Sequence, residues 1–467
     1  MSTYDFDVAV LGSGSGGFAA ARTTSAAGLN TVVIDGGKEI SGLCILRGCM
    51  PTKALLYAAE VKHLASRAAI WGIEVSGVGY DFGRVMERKR AMVKEFSDCR
   101  MSQLSCGKFK LIREWGRFVD PHTLLLSDGS KLTAKNFVIG TGSVISKSPL
   151  PQLEEVGYIT SDEALELKQL PKSIIVLGGG SIAVEFAQFF SRMDVKVTLI
   201  QRSEHLLKDF DPEAGDALAR VFREEGMDVY TKTKLLNAGI TGQNKWISFE
   251  HEGGIVRVEA EEIFYGLGRV PNTSGLGLEL AGVELESGRI VCDSGMRTSV
   301  PHIFAAGDCT GPYEVVHLAV TQGEIAGHNI VRPQKEKRMD YRLMTHVVFT
   351  EPQVAMVGLN LKNASSRNIP HLSASYPFND HGKSILMAVN QGYVSLMADP
   401  SSGEIIGGTC IGPMGGELIH EIITAMHKRM TVRELATMPH YHPTLMEIWT
   451  YPAEEIADKM DPAWREK

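Results

Sequence analysis

The chain has 467 residues, 44% of them apolar and 22% charged, which is too long for one compact core and predicts about three domains. A formal net charge of −7 gives no reason to expect nucleic acid or an anionic membrane as a partner. The longest apolar runs, such as "SIIVLGG" from Ser173, are strand-length and far short of a membrane span.

The N-terminus enters an apolar strand, "FDVAVL", almost at once and shows no basic or cleavable leader, so a cytoplasmic chain is expected. The strand runs into "GSGSGG", where Gly12, Gly14 and Gly17 fit G-x-G-x-x-G. A helical stretch follows, then a second strand, "TVVID", ending in Asp35. In that setting each glycine has a task. Gly12 permits the tight turn, Gly14 lets the backbone approach a pyrophosphate, and Gly17 lets helix and strand pack closely. The phosphates sit on free N–H groups at the helix N-terminus. Asp35, eighteen residues after Gly17, is placed to accept hydrogen bonds from a ribose.

Next comes "GLCILRGCMPTK", with Cys44 and Cys49 five positions apart. In an ideal helix such residues have Cα atoms roughly 8–9 Å apart, whereas a disulfide needs less than about 7 Å. Bridging therefore requires a distorted turn, which Gly48 makes accessible. Zinc is disfavoured, because no second Cys or His pair accompanies these two. A structural staple over so short a loop adds little. A redox-active pair beside the first nucleotide ligand remains. The other five cysteines (Cys99, Cys106, Cys292, Cys309, Cys410) have no informative spacing and read as small apolar residues.

The strand–glycine–helix–strand pattern recurs. "IIVL" leads to Gly178, Gly180 and Ala183, then a helix, then "VKVTLI". The position equivalent to Asp35 is Gln201, followed by Arg202 and Lys208. A carboxylate there would repel a 2′-phosphate, whereas Gln201 does not, and the two cations attract one. The second unit therefore suits NADPH better than NADH. Two dinucleotides in one chain are most economically a flavin and a nicotinamide.

With these residues the chain resembles the FAD-dependent pyridine nucleotide-disulfide oxidoreductases, the family of dihydrolipoamide dehydrogenases and glutathione reductases. Further segments carry the likeness nearly end to end. "VIGTGS" with Thr141 and Gly142 resembles the segment closing the FAD domain, and "GLGRVPNT" with Gly268 its counterpart in the nicotinamide domain. "TSVPHIFAAGDCTG" contains Asp308, matching the aspartate on the flavin ribityl chain, and "HVVFTEPQVAMVGL" resembles the opening of the dimerisation domain. "HYHPTLMEIW" resembles the C-terminal H-P-x-x-x-E motif.

The resemblance implies an α/β fold of two Rossmann-like domains plus a C-terminal α+β dimerisation domain. The expected segments are 1–145 and 271–340 for FAD, 146–270 for NAD(P) and 341–467 for the dimer interface. It implies that Cys49 exchanges electrons with FAD and Cys44 attacks the substrate. His442 acts as acid–base, oriented by Glu447, on the partner chain's cysteines. Lys53 stands near the flavin and pairs with Glu185. His440 packs beside the base or tunes it. No metal is expected.

The cysteine segment departs from the family pattern at Leu43 and at Ile45-Leu46-Arg47, which leaves the disulfide pocket open. "HPTLME" is closer to dihydrolipoamide dehydrogenases, while Gln201 is not what an NAD-preferring one carries. The expected substrate is a lipoyl-type or low-molecular-weight disulfide, glutathione disulfide being the alternative. Mercuric reductases have a C-terminal cysteine pair, but no cysteine follows Cys410. A flavin-bound redox sensor is the reading from another class, and it has no need of the His442/Glu447 pair.

Overall fold

The structure is a computed structural model and describes residues 4–311 and 313–466. Its contacts divide the chain into two compact units. The first comprises Met1–Ala54, Arg84–Lys147 and Gly268–Asp340; the second comprises Leu55–Gly83, Ser148–Leu267 and Tyr341–Lys467.

In the first unit, strand β1 (Phe6–Leu11) leads to helix α1 (Ser15–Ala26) and strand β2 (Thr31–Ile34). A short helix α2 (Leu43–Leu46) and the start of helix α3 (Cys49–Ser66) carry the cysteines. Helix α4 (Phe82–Leu104) and strands β3 (Lys110–Ile112), β4 (Gly116–Asp120), β5 (Thr123–Leu126) and β6 (Lys131–Ile139) follow. The sheet order is β3-β2-β1-β6-β5-β4, and strand Ile303–Ala305 pairs with β6. β1 lies parallel to both β2 and β6. Its last four residues are apolar and buried on both faces, Val8 and Val10 with Ala20 and Leu104, Ala9 and Leu11 with Phe118 and Leu124. Helix Val316–Val331 packs against α1 at very short range: a Cβ on Gly323 would stand 2.1 Å from the Gly16 carbonyl oxygen.

The second unit holds three sheets. Strands Asp228–Tyr230, Lys196–Ile200, Ser173–Leu177 and Glu262–Tyr265 form a parallel sheet in that order. Lys234–Thr241, Asn244–His251 and Gly254–Ala260 form an antiparallel meander. The third is a five-stranded antiparallel sheet beginning with Thr345–Val348 and Gln353–Gly358. Helices Gly415–His427 and Thr450–Met460 pack on it around Phe378, Ile419, Ile422, Trp449 and Ile456. Within this unit the buried Arg192 joins the parallel-sheet region to the antiparallel one, lying 2.6 Å from Glu225 and 2.8 Å from Glu351. Both carboxylates are needed, because a guanidinium so buried is unfavourable without partners.

Trp449 is fully buried, and its indole N–H donates to the Leu418 carbonyl at 3.1 Å. It anchors the turn that carries Glu447. Trp449→Ala should destabilise this unit by about 3–5 kcal/mol, the usual range for truncating a large buried aromatic. A urea titration followed by circular dichroism reads the change, and an unmoved midpoint would refute the anchoring role.

Candidate active site

The first dinucleotide loop is built by backbone contact. Gly12 has φ +98°, and a Cβ there would lie 2.4 Å from the Gly140 carbonyl oxygen. A Cβ on Gly17 would lie 2.0 Å from the Gly12 carbonyl oxygen. Both positions therefore exclude a side chain. Gly14 is different: its Cβ would meet only the Gly42 Cα, at 4.0 Å. It leaves room in front of the N-terminus of the twelve-residue helix α1, where a pyrophosphate gains from free N–H groups. Asp35 accepts from the Ser13 N–H at 2.9 Å, the Ser13 hydroxyl at 2.6 Å and the Gly37 N–H at 3.0 Å. The carboxylate is thereby fixed at the end of β2.

Thr141, Gly142, Gly268 and Asp308 come together in the same unit. The Thr141 hydroxyl donates to the Asn272 carbonyl at 2.7 Å, and the Asn272 N–H donates to the Gly142 carbonyl at 2.9 Å. Ser146 donates to the Gly268 carbonyl through its N–H, at 3.1 Å, and its hydroxyl, at 3.0 Å. The Ser143 hydroxyl donates to Asp308 at 2.7 Å and accepts from Arg269 Nε at 2.8 Å.

Arg100 on α4 had no signal in the sequence. Its guanidinium lies over the Phe18 ring at 4.1 Å, and one buried terminal nitrogen, NH1, has no hydrogen-bond partner among the described residues. A buried, unsatisfied cation next to α1 fits an anionic ligand better than an empty loop. These donors suit the phosphates and ribose of FAD.

The cysteine turn is distorted as the spacing requires. The chain leaves α2 at Arg47 and re-enters a helix at Cys49. A Cβ on Gly48 would meet the Leu43 carbonyl oxygen at 3.0 Å and the Cys44 Cα at 3.1 Å. Gly48 serves here through close approach, folding Cys49 back towards Cys44. Neither sulfur is in a disulfide. The hydrogen bond with Cys49, burial and the repulsion between two thiolates push the Cys44 thiol far up, with Lys53 opposing. The two sulfurs are thus within hydrogen-bonding reach of each other.

In the second unit, Gly178 has φ +111°, and its Cβ would lie 2.4 Å from the Gly266 carbonyl oxygen. The place taken by Gly17 in the first loop is here Ala183, which packs on Gly266. Gly180 caps helix Ser181–Arg192 with no atom within 4 Å of its would-be Cβ. Gln201 is buried against Gly179, whereas Arg202 and Lys208 are exposed. Glu185 is buried and accepts the Phe349 N–H at 2.9 Å.

At the C-terminal end of that unit, His442 Nδ1 lies 3.0 Å from Glu447 Oε2. The imidazole is 76% exposed and the carboxylate only 12%. His440, two residues earlier, is turned inward: its Nε2 lies 2.6 Å from Glu421 Oε1, with side chains 8% and 11% exposed. Burial pushes the Glu421 carboxyl up, and the His440 hydrogen bond partly reverses this. A third histidine, His381, also lies beside Glu447 and belongs to no motif. Its Nε2 is 3.5 Å from Glu447 Oε1.

Among the described residues no helix is long and apolar enough to cross a membrane. Residues 6–323 match the family described as pyridine nucleotide-disulphide oxidoreductase, and residues 344–453 match its dimerisation domain. The chain is 31% identical to mitochondrial dihydrolipoyl dehydrogenase of Schizosaccharomyces pombe over 95% of its length and 88% of the relative's. It is 32% identical to dihydrolipoyl dehydrogenase of Mycobacterium leprae over 95% and 96%. It is also 31% identical to mercuric reductase of Bacillus cereus over 94% and 69%. Among solved structures, LpdA of Mycobacterium tuberculosis superposes with a TM-score of 0.85 at 26% identity, covering 96% of this chain and 99% of that one. The flavoprotein disulfide reductase RclA of Escherichia coli shares the fold, with a TM-score of 0.84 at 22% identity over 96% and 99%. The two Rossmann-like regions and the C-terminal α+β region are the family's architecture, and FAD and a nicotinamide dinucleotide are its cofactors. With a glycine loop, a cysteine pair, a second glycine loop and a dimerisation domain in that order, this chain belongs to the pyridine nucleotide-disulphide oxidoreductases and is a flavoprotein disulfide oxidoreductase.

Proposed function

We propose that the chain catalyses disulfide–dithiol exchange through Cys44 and Cys49, at the expense of a nicotinamide dinucleotide. The hydrogen-bond contact between Cys44 and Cys49 at the close-packed Gly48 turn carries this reading. FAD supplies the two-electron exchange between the nicotinamide and the cysteine pair.

In the reducing direction, His442 Nε2 takes the Cys44 thiol proton and the resulting thiolate attacks one sulfur of the substrate disulfide. The substrate S–S bond breaks and a mixed disulfide forms. The departing thiolate takes a proton from His442 Nε2. Cys49 then attacks Cys44, the mixed disulfide breaks, and the second substrate thiolate leaves and is protonated. One disulfide has become two thiols, and Cys44–Cys49 is a disulfide again. In the oxidising direction the same steps run backwards. Glu447 holds the His442 Nδ1 proton, so that the Nε2 proton is the mobile one. Lys53 supplies a cation near the cysteines, and Glu185 a buried carboxylate beside the second loop.

Segments 1–145 and 271–340 are assigned to FAD, 146–270 to NAD(P) and 341–467 to the dimer interface. The substrate is a lipoyl-type or other small disulfide, and the location cytoplasmic, where exposed free thiols such as Cys99 and Cys106 persist. The working form is a homodimer in which His442 serves the partner chain. An imidazole this exposed beside a buried carboxylate is suited to act on something outside its own unit. Tyr57, Val61 and Leu64, exposed along one face of α3, offer apolar surface for a second copy.

Cys44→Ser and His442→Ala homodimers should each be inactive. Mixed under subunit exchange, they should recover about a quarter of wild-type sites, because each heterodimer holds one intact site. Exchange shown by mass spectrometry without recovered turnover would place each site within one chain. The nicotinamide preference is tested separately. Arg202→Ala should lower the NADPH-over-NADH ratio of kcat/KM by roughly ten- to a hundredfold. A wild-type preference for NADH, unchanged by the substitution, would refute the 2′-phosphate role.

A further inference from the structure

His381 is fully buried, yet one of its ring nitrogens has no completed hydrogen bond among the described residues. Its Nδ1 lies 2.8 Å from the hydroxyl of Ser384, itself fully buried. With the serine hydroxyl donating to Nδ1, the neutral ring carries its proton on Nε2. That Nε2 points at Glu447 Oε1 from 3.5 Å, slightly longer than a formed hydrogen bond. The other carboxylate oxygen, Oε2, is the one 3.0 Å from His442 Nδ1. Glu447 thus sits between a buried ring and an exposed one.

The ring is held from several sides. The Phe378 and Tyr451 rings stand nearly perpendicular to it, each 6.4 Å away between centroids. Tyr451 stacks on Tyr376, whose hydroxyl donates to Asp380. The titratable groups around His381 are therefore Glu447, His442 and Tyr451, with Tyr376 and Asp380 behind Tyr451. Burial pulls the His381 pKa down, and Glu447 pulls it back less strongly. The ring stays neutral and keeps one N–H to give.

We propose that His381 is a positioning residue for the His442–Glu447 pair, its Nε2–H holding Oε1 so that Oε2 faces His442 Nδ1. This rests on the reading of His442 as the acid–base group. The buried N–H does two things. It prevents the carboxylate from turning away, and it takes up part of the carboxylate charge. His442 then feels a weaker pull and releases its Nε2 proton more easily. Without that N–H, the whole carboxylate charge acts on the imidazolium and retains the proton.

The test uses the FAD-loaded homodimer with labelled histidines, the His442 signal being identified by its loss in His442→Gln. In His381→Phe the His442 titration midpoint should rise by on the order of half a pH unit. kcat should fall roughly three- to tenfold with KM unchanged. His381→Gln, which keeps an N–H of similar reach, should restore most of both. In a Glu447→Gln background, His381→Phe should change neither quantity, because the effect passes through the carboxylate. If His381→Phe does not fold, His381→Asn, too short to reach Oε1, takes its place with the same expectations. A midpoint that stays put or falls overturns the proposal, as does an equal shift in the Glu447→Gln background. If His442→Gln alone leaves turnover intact, the acid–base reading fails, while the titration still decides whether His381 acts on His442.

Discussion

Two dinucleotide loops in this chain depend on one constraint: backbone must touch backbone where a strand ends and a helix begins. At Gly12 the neighbour is the Gly140 carbonyl, and at Gly178 it is the Gly266 carbonyl, each 2.4 Å from where a Cβ would be. Both glycines also have positive φ, so a side chain is excluded by conformation as well as by space. The contact brings the end of the central strand, the start of the helix and a neighbouring crossover segment to one point. The helix N-termini then face open space at Gly14 and Gly180, with no bulk before them. A phosphate-binding place follows from packing, before any charged side chain is considered.

Much of this was legible because it is local. Glycine spacing, apolar strands of four to six residues and the acidic or neutral residue closing the second strand all lie within thirty residues of each other. The His442–Glu447 contact was legible for the same reason, the two being five residues apart on one turn. What escaped was assembled from afar. His381 precedes Glu447 by a strand hairpin and three helices, and "FNDHGKS" carries no spacing that announces a partner. Arg100 lies mid-helix in "DCRMSQ", where an arginine reads as a solvated charge. Only the fold shows it stacked on Phe18 with a buried N–H to spare. Gly48 was expected to help by flexibility; the structure uses its small size instead, since its Cβ would collide with Cys44.

In the proposed nicotinamide choice, Gln201 and its basic neighbours take different parts. Gln201 is buried against Gly179 and its carbonyl accepts from Thr233, so it is held by the protein's own framework. Its contribution is permissive: no carboxylate stands where a 2′-phosphate would come. Arg202 and Lys208 are exposed, where salt screens a charge and isolated surface pairs contribute little. Their attraction becomes strong only if a phosphate brings both into charge-assisted hydrogen bonds. Selectivity built this way depends on ionic strength more than the carboxylate-based discrimination of an NAD site does.

The segment 440–447 separates two tasks that a single His–Glu pair could not perform together. His440 and His442 are two residues apart in a non-helical stretch, yet one side chain is buried and the other exposed. His440 turns inward onto Glu421 and fastens the segment to helix Gly415–His427. His442 turns outward with its imidazole exposed, held through Nδ1 by Glu447. A base must exchange protons with its surroundings, which demands exposure. It must also point in one direction, which demands a buried partner. Glu447 meets the second demand through its own burial, with His381 beside it. On the proposed acid–base reading, the direction of the exposed ring is set by groups that never touch the substrate.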